Sequence, residues 1–145
     1  MLDNISSPEA LRKEALHIQE YLEITMSEQP EEVVDRGNEL AVYIPRTGKM
    51  LADAQYHRDA MMQSEIMGLL RDTAKQSLSP STVNKLVDAA CKDANYLATW
   101  CERLHKSAVR QYEWCRTLIS KAKAEMQVSG GMNNQLPPID ENHIF

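Results

Sequence analysis

SPSTVNKLVDAACKDANYLATWCERLHKSAVRQYEWCRTLISKAKAEM (Ser79–Met126) decides the fold, because it holds no glycine and no proline after Pro80. Small or apolar side chains recur at Val83, Val87, Ala90, Ala94, Leu97, Cys101, Leu104, Ala108, Cys115, Leu118 and Ala122. Those steps alternate four and three, the spacing that keeps one stripe of an α-helix against partner helices. The single lapse is Gln111, polar where the stripe expects an apolar residue. Such a helix is about 70 Å long at 1.5 Å per residue. It cannot bury its stripe alone, so the rest of the chain or a second chain has to lie along it.

The preceding sequence supplies those partners. Ser7-Pro8-Glu9 reads as an N-cap, a proline at the first helical position and an acid in the first turn. Leu11, Ala15, Ile18 and Leu22 then form a narrow apolar stripe, predicting a short helix over about 8–26. A second helix is expected over 31–76, with Val33, Leu40, Ile44, Leu51, Ala54, Met61, Ile66 and Leu69 apolar. Pro45 interrupts it by removing a backbone donor and crowding the Ala41 carbonyl. The period continues on both sides, which predicts a kink near Pro45, the alternative being a short break at 44–47. Two long helices joined by a few residues make an antiparallel hairpin. The expected fold is therefore all-α: an elongated, coiled-coil-like hairpin over 80–127 and 31–76, with a short third helix. Residues 1–127 form the helical domain, and Gly-, Asn- and Pro-rich 128–145 form a flexible tail. The thin shape, with Trp100 and Trp114 two heptads apart on one face, points to a homo-oligomer.

One Phe and five Gly against eight Met in 145 residues fit helices better than sheets. A formal net charge of −5 gives no overall reason to bind nucleic acid or an anionic membrane. The charge is uneven: residues 1–72 hold 14 acids and 7 bases, residues 73–126 hold 5 acids and 9 bases. Cys91, Cys101 and Cys115 all fall in the long helix, an odd set without a CxxC pair, which fits a reducing cytoplasm. No apolar run approaches the roughly 20 residues that span a bilayer.

Chemistry is sparse. Glu14/His17 and Glu102/His105 are two Glu-x-x-His pairs, the spacing used by di-iron helical bundles. That site also needs carboxylates from two further helices, and only three helices are evident, so no metal or cofactor is expected. Asp53 and His57, one helical turn apart, read as a surface ion pair. There is no phosphate-cradling glycine loop and no nucleophile elbow. The expectation is a protein that is not an enzyme.

The segment from Arg103 to Lys123 carries Arg103, Lys106, Arg110, Arg116, Lys121 and Lys123 with Tyr112 and Trp114 interleaved. Bases beside exposed aromatics suit single-stranded nucleic acid, through phosphate charge and base stacking, or an anionic small molecule. The plainer alternative is that they pair with acids on the first two helices. The chain ends LPPIDENHIF (Leu136–Phe145), which resembles the tail tip of bacterial single-stranded-DNA-binding proteins. That likeness makes Asp140, Ile144 and Phe145 a partner-docking tip, though with fewer acids and with His143 in an unusual place.

ELAVYIPRTGKMLADAQYH (Glu39–His57) and TWCERLHKSAVRQYEWCRTLISKAKAEM (Thr99–Met126) together resemble small helical proteins encoded by phages and prophages near DNA recombination genes. The resemblance covers about residues 33–126 and carries no catalytic motif. Gln111 and Arg116–Ser120 are typical of it, and Pro45 is a departure. It implies a phage context rather than an activity, and the function expected there is a non-enzymatic accessory protein of phage DNA replication or recombination in the bacterial host cytoplasm. Its partners would be itself, single-stranded DNA or replication and recombination proteins, with no membrane. The alternatives are a sponge that sequesters a nucleotide signal of host defence and a purely structural oligomer.

Overall fold

The first helix starts where a serine side chain replaces a missing backbone partner. In the computed structural model, which describes residues 4–73 and 78–133, Ser7 caps α1 (Pro8–Leu22) by accepting the Ala10 N–H at 3.2 Å. Ser79 caps α3 (Pro80–Ala90) in the same way, accepting from Thr82 at 3.2 Å. Each has proline at the first position, where no N–H is missed. Between them α2 (Pro30–Thr73) runs for 44 residues, and α4 (Lys92–Asn133) follows for 42. All four elements among the described residues are α-helices.

Three expectations need correction. The helix expected to run unbroken from 80 to 127 is divided at Cys91, whose φ of −96° and ψ of 11° leave the helical region. Cys91 is buried whereas Ala90 is exposed, and burial is back in the expected register at Leu97 and Cys101. Next, α4 continues through Ser129 and Gly130 to Asn133 instead of ending at 127. Pro30 shares a shallow cleft with Met126 and Ser129, which gives these last turns a neighbour. Finally, α1 ends at Leu22, four residues short. Residues 74–77, where the second helix is expected to end, and residues 134–145, with Asp140, Ile144 and Phe145, lie outside the described residues.

Pro45 does not break α2. Both Pro45 and Ala41 are exposed, so the carbonyl left without its donor faces water.

Pairings between α2 and α4 run in opposite directions: Gly37 lies against Cys115, Gly48 against His105, and the Arg36 side chain reaches Gln111. The two helices are therefore an antiparallel hairpin. The pairings of α1 (Glu14 with Arg46, Tyr21 with Glu39) make it antiparallel to α2 and parallel to α4. One core unites them, built from Leu11, Ala15, Ile18, Leu22, Val33, Leu40, Met50, Ala54, Leu97, Cys101, Leu104, Ala108 and Cys115. Each fully buried Leu or Ile here contributes about 1.5–3 kcal/mol of transfer free energy.

Two glycines of α2 face α4. A Cβ on Gly48 would stand 3.5 Å from the His105 ring and one on Gly37 3.7 Å from Cys115, ordinary contact in both cases. Gly68 is different, with nothing within 4 Å of a Cβ built there. Gly68→Ala is therefore expected to raise stability by about 0.5–1 kcal/mol, the usual helix-interior difference between the two residues. Urea unfolding checks this, and an unchanged or lower midpoint would contradict it.

Candidate nucleic-acid interface

The site is built on the side of α4 turned away from the core. Buried positions on α4 are Leu97, Ala98, Cys101, Leu104, Ala108 and Cys115. Steps of three, four and four from Arg103 reach Lys106, Arg110 and Trp114, so these four share one stripe on the opposite side, and all are exposed. Extended backwards by seven residues the stripe takes in the exposed Tyr96, and by three it reaches Trp100, which is half-buried at the stripe's edge where it also touches the core. From Tyr96 to Trp114 it spans about 27 Å of helix.

The expected group is thus brought together only in part. Tyr112 is half-buried and packs against the core, so it is not a free ring on this stripe. Arg116, thirteen residues on from Arg103, is about 140° round the helix from it and lies with Glu113, Thr117 and Ser120 on another flank. The structure supplies Tyr96 and Trp100 instead.

Beside the stripe a cleft of about 510 Å³ opens between α1 and α4, lined by Gln19, Tyr96, Thr99, Trp100, Arg103 and Ser107. Its size falls in the range of about 300–1,000 Å³ typical of small-ligand sites. Tyr96 is 71% exposed, and its ring centroid is 6.2 Å from that of Trp100 at an interplanar angle of 58°. The Trp100 indole donates to Gln19 Oε1 at 3.2 Å, and Gln19 Nε2 donates to Glu23 Oε1 at 2.6 Å. This short chain fixes the plane of the indole.

The basic groups are not consumed by acids of the first two helices. Arg46 takes Glu14 in a two-point ion pair, Tyr21 takes Glu39, and Lys49 takes Asp53. Lys106 pairs with Glu102 on its own helix at 2.9 Å, both side chains largely exposed. Arg103 and Arg110 have no ion-pair or hydrogen-bond partner among the described residues.

The metal alternative, Glu14 and His17 with Glu102 and His105, fails on geometry. Glu14 is held by Arg46 and Glu102 by Lys106. His17 stands exposed on α1, outside the packed core, and the two Glu-x-x-His pairs do not converge. His105 Nδ1 lies 3.0 Å from Thr47 Oγ1, whose own proton goes to the Tyr43 and Ile44 carbonyls, so the histidine donates. No group of three metal-ligating side chains occurs among the described residues. All three cysteines are buried, and burial pushes each thiol up, to about 11 at Cys101.

Asp53 and His57 do not form the expected ion pair. They clamp the backbone ahead of α1: the Asp53 carboxylate accepts the Ser6 N–H at 3.1 Å, and His57 Nε2 donates to the Ser6 carbonyl at 2.7 Å. Burial opposes the charge on Asp53, but Lys49, the Ser6 N–H and Arg46 together hold its carboxyl below the usual carboxylate range. With the folded value depressed, this contact stabilises the fold above the unfolded pKa of about 3.9 and is lost as pH falls through the folded value. The heteronuclear NOE of Ser6 and Ser7 is expected to hold down to about pH 4 and to fall on further acidification. An NOE unchanged at pH 2 would contradict this.

No helix among the described residues is long and apolar enough to cross a membrane. No family model matches the chain, and neither a curated protein nor a solved structure shows significant similarity to it.

Proposed function

We propose that this chain is a non-enzymatic binding protein that holds single-stranded nucleic acid along the outer face of α4. In keeping with its likeness to phage proteins, it would act as a self-associating accessory of phage DNA replication or recombination in the host cytoplasm. One observation carries this: Arg103 and Arg110, with no ion-pair or hydrogen-bond partner among the described residues, stand in line with the exposed rings of Tyr96 and Trp114, and the half-buried Trp100 edges the same stripe. Guanidinium groups neutralise phosphate, and exposed rings stack on bases of any identity. A duplex keeps its bases stacked on one another, so the rings favour a single strand. Net acidity confines the attraction to this stripe and keeps affinity modest.

The exposed Met61, Ile66 and Met67 of α2 and Leu86 of α3, near the turn of the hairpin, support self-association. A second reading, a nucleotide-binding sponge, is favoured by the size of the cleft at Trp100. Anisotropy of a labelled oligothymidylate separates the two. Binding that is resisted by unlabelled duplex and by millimolar mononucleotide is the expected result. Tight mononucleotide binding with no oligonucleotide binding would replace the first reading by the second.

A further inference from the structure

We infer that the cleft between α1 and α4 is a subsite for one nucleotide unit, the base lying against Trp100 and Tyr96 and the phosphate held by Arg103. This deepens the proposed function and rests on it for the source of the nucleotide.

The two rings stand one helical turn apart and are inclined at 58°, so they form an angled wall open on one side. A planar base placed on the indole is bounded by Tyr96 at its end. Arg103 lies one turn further along the same side of the helix, in the same cleft, with no carboxylate bonded to it among the described residues. Base and phosphate of one nucleotide thus meet ring and guanidinium at one place.

The polar edge of the indole is occupied. Trp100 Nε1 gives its proton to Gln19, and Gln19 gives its own to Glu23. What the wall offers a base is therefore mainly ring faces, and the other polar groups of the lining, Thr99 and Ser107, are single hydroxyls rather than a two-point match to one base edge. The subsite accepts purines and pyrimidines alike, as stacking platforms do. Because Gln19 comes from α1, the subsite exists only while α1 is docked on α4.

The chain has two tryptophans, which makes the test direct. In Trp114→Phe the only indole is Trp100, so its fluorescence reports on the cleft, while anisotropy of labelled oligothymidylate reports on binding as a whole. Expected is quenching of Trp100 that saturates with the anisotropy change. In that background Tyr96→Ala and Arg103→Gln should each weaken both signals by roughly fivefold or more, the equivalent of one lost stacking or phosphate contact. Tyr96 and Arg103 are exposed, so neither change threatens the fold. Thymidine monophosphate should quench only weakly at millimolar concentration. If the mononucleotide quenches as well as the oligonucleotide, the subsite stands with a free nucleotide as its ligand and the strand-binding function falls. If anisotropy rises while Trp100 emission is unchanged, strand binding stands and the subsite is overturned. Silence in both signals overturns both.

Discussion

Arg36→Ala is expected to lower the unfolding free energy by about 2–3 kcal/mol, a drop in Tm of about 5–10 °C for a domain this size. The Arg36 side chain closes the junction of all three long elements. One terminal nitrogen donates to the Tyr21 and Ile24 carbonyls at 3.2 and 3.3 Å and to Gln111 Oε1 at 2.9 Å. The guanidinium carbon also lies 4.1 Å from the centre of the Tyr21 ring. Gln111 in turn donates to the Leu22 carbonyl at 2.9 Å, so the last turn of α1 is closed by side chains from α2 and α4 together. Removing Arg36 strands Gln111 Oε1 and takes a donor from two carbonyls, of which that of Tyr21 still accepts the Ile24 N–H at 3.1 Å and that of Ile24 is open to water. The gain is reduced by Arg36 Nε, which is buried without an acceptor among the described residues, and that places the estimate well below the sum of four contacts. In a double-mutant cycle with Gln111→Ala the two losses should couple by about 1 kcal/mol. Additive losses would show that the two side chains act separately. Tyr21 belongs to the same junction: burial and its 2.5 Å hydrogen bond to Glu39 push the phenol up, so it stays a donor at ordinary pH.

The joint reversal Arg103→Glu with Arg110→Glu is expected to weaken oligothymidylate binding by at least roughly tenfold, the equivalent of about 1.4 kcal/mol. Both side chains are exposed and unpaired among the described residues, so circular dichroism and Tm should be unchanged. Arg116→Glu is the control: it makes the same change of charge on another flank of the helix and should cost less than about twofold. Equal losses for the two sites would mean that net charge, not this stripe, governs the interaction.

The hydrophobic period made the helices legible, and tertiary contact decided what it left open. Val87, Leu97, Cys101, Leu104, Ala108 and Cys115 are buried where the heptad steps place them. The break at Cys91 escaped the same logic, because no glycine or proline marks it and the register is the same on either side of it. Gln111 stood out as a lapse in the pattern. Its partners, Arg36 and the Leu22 carbonyl, are 75 and 89 residues away and left no local trace. The same holds for Asp53 and His57, whose partner is the backbone of Ser6. In the candidate site, interleaving along the chain does not make a shared face. Tyr112 and Arg116 are close to Arg110 in sequence but turned away from it on a helix. Tyr96, seven residues before Arg103, was within reach of the heptad steps. Gln19 was not, since only the docking of α1 on α4 brings it beside Trp100.

The salt dependence of oligothymidylate affinity tests the nucleic-acid face most directly. A strand held through three cations, Arg103, Lys106 and Arg110, should give a log–log slope near −2, at about −0.7 per phosphate neutralised on single strands. The double reversal should bring that slope close to zero, whereas Arg116→Glu should leave it unchanged. A wild-type slope near zero, or one that survives the loss of Arg103 and Arg110, would contradict the assignment of this face.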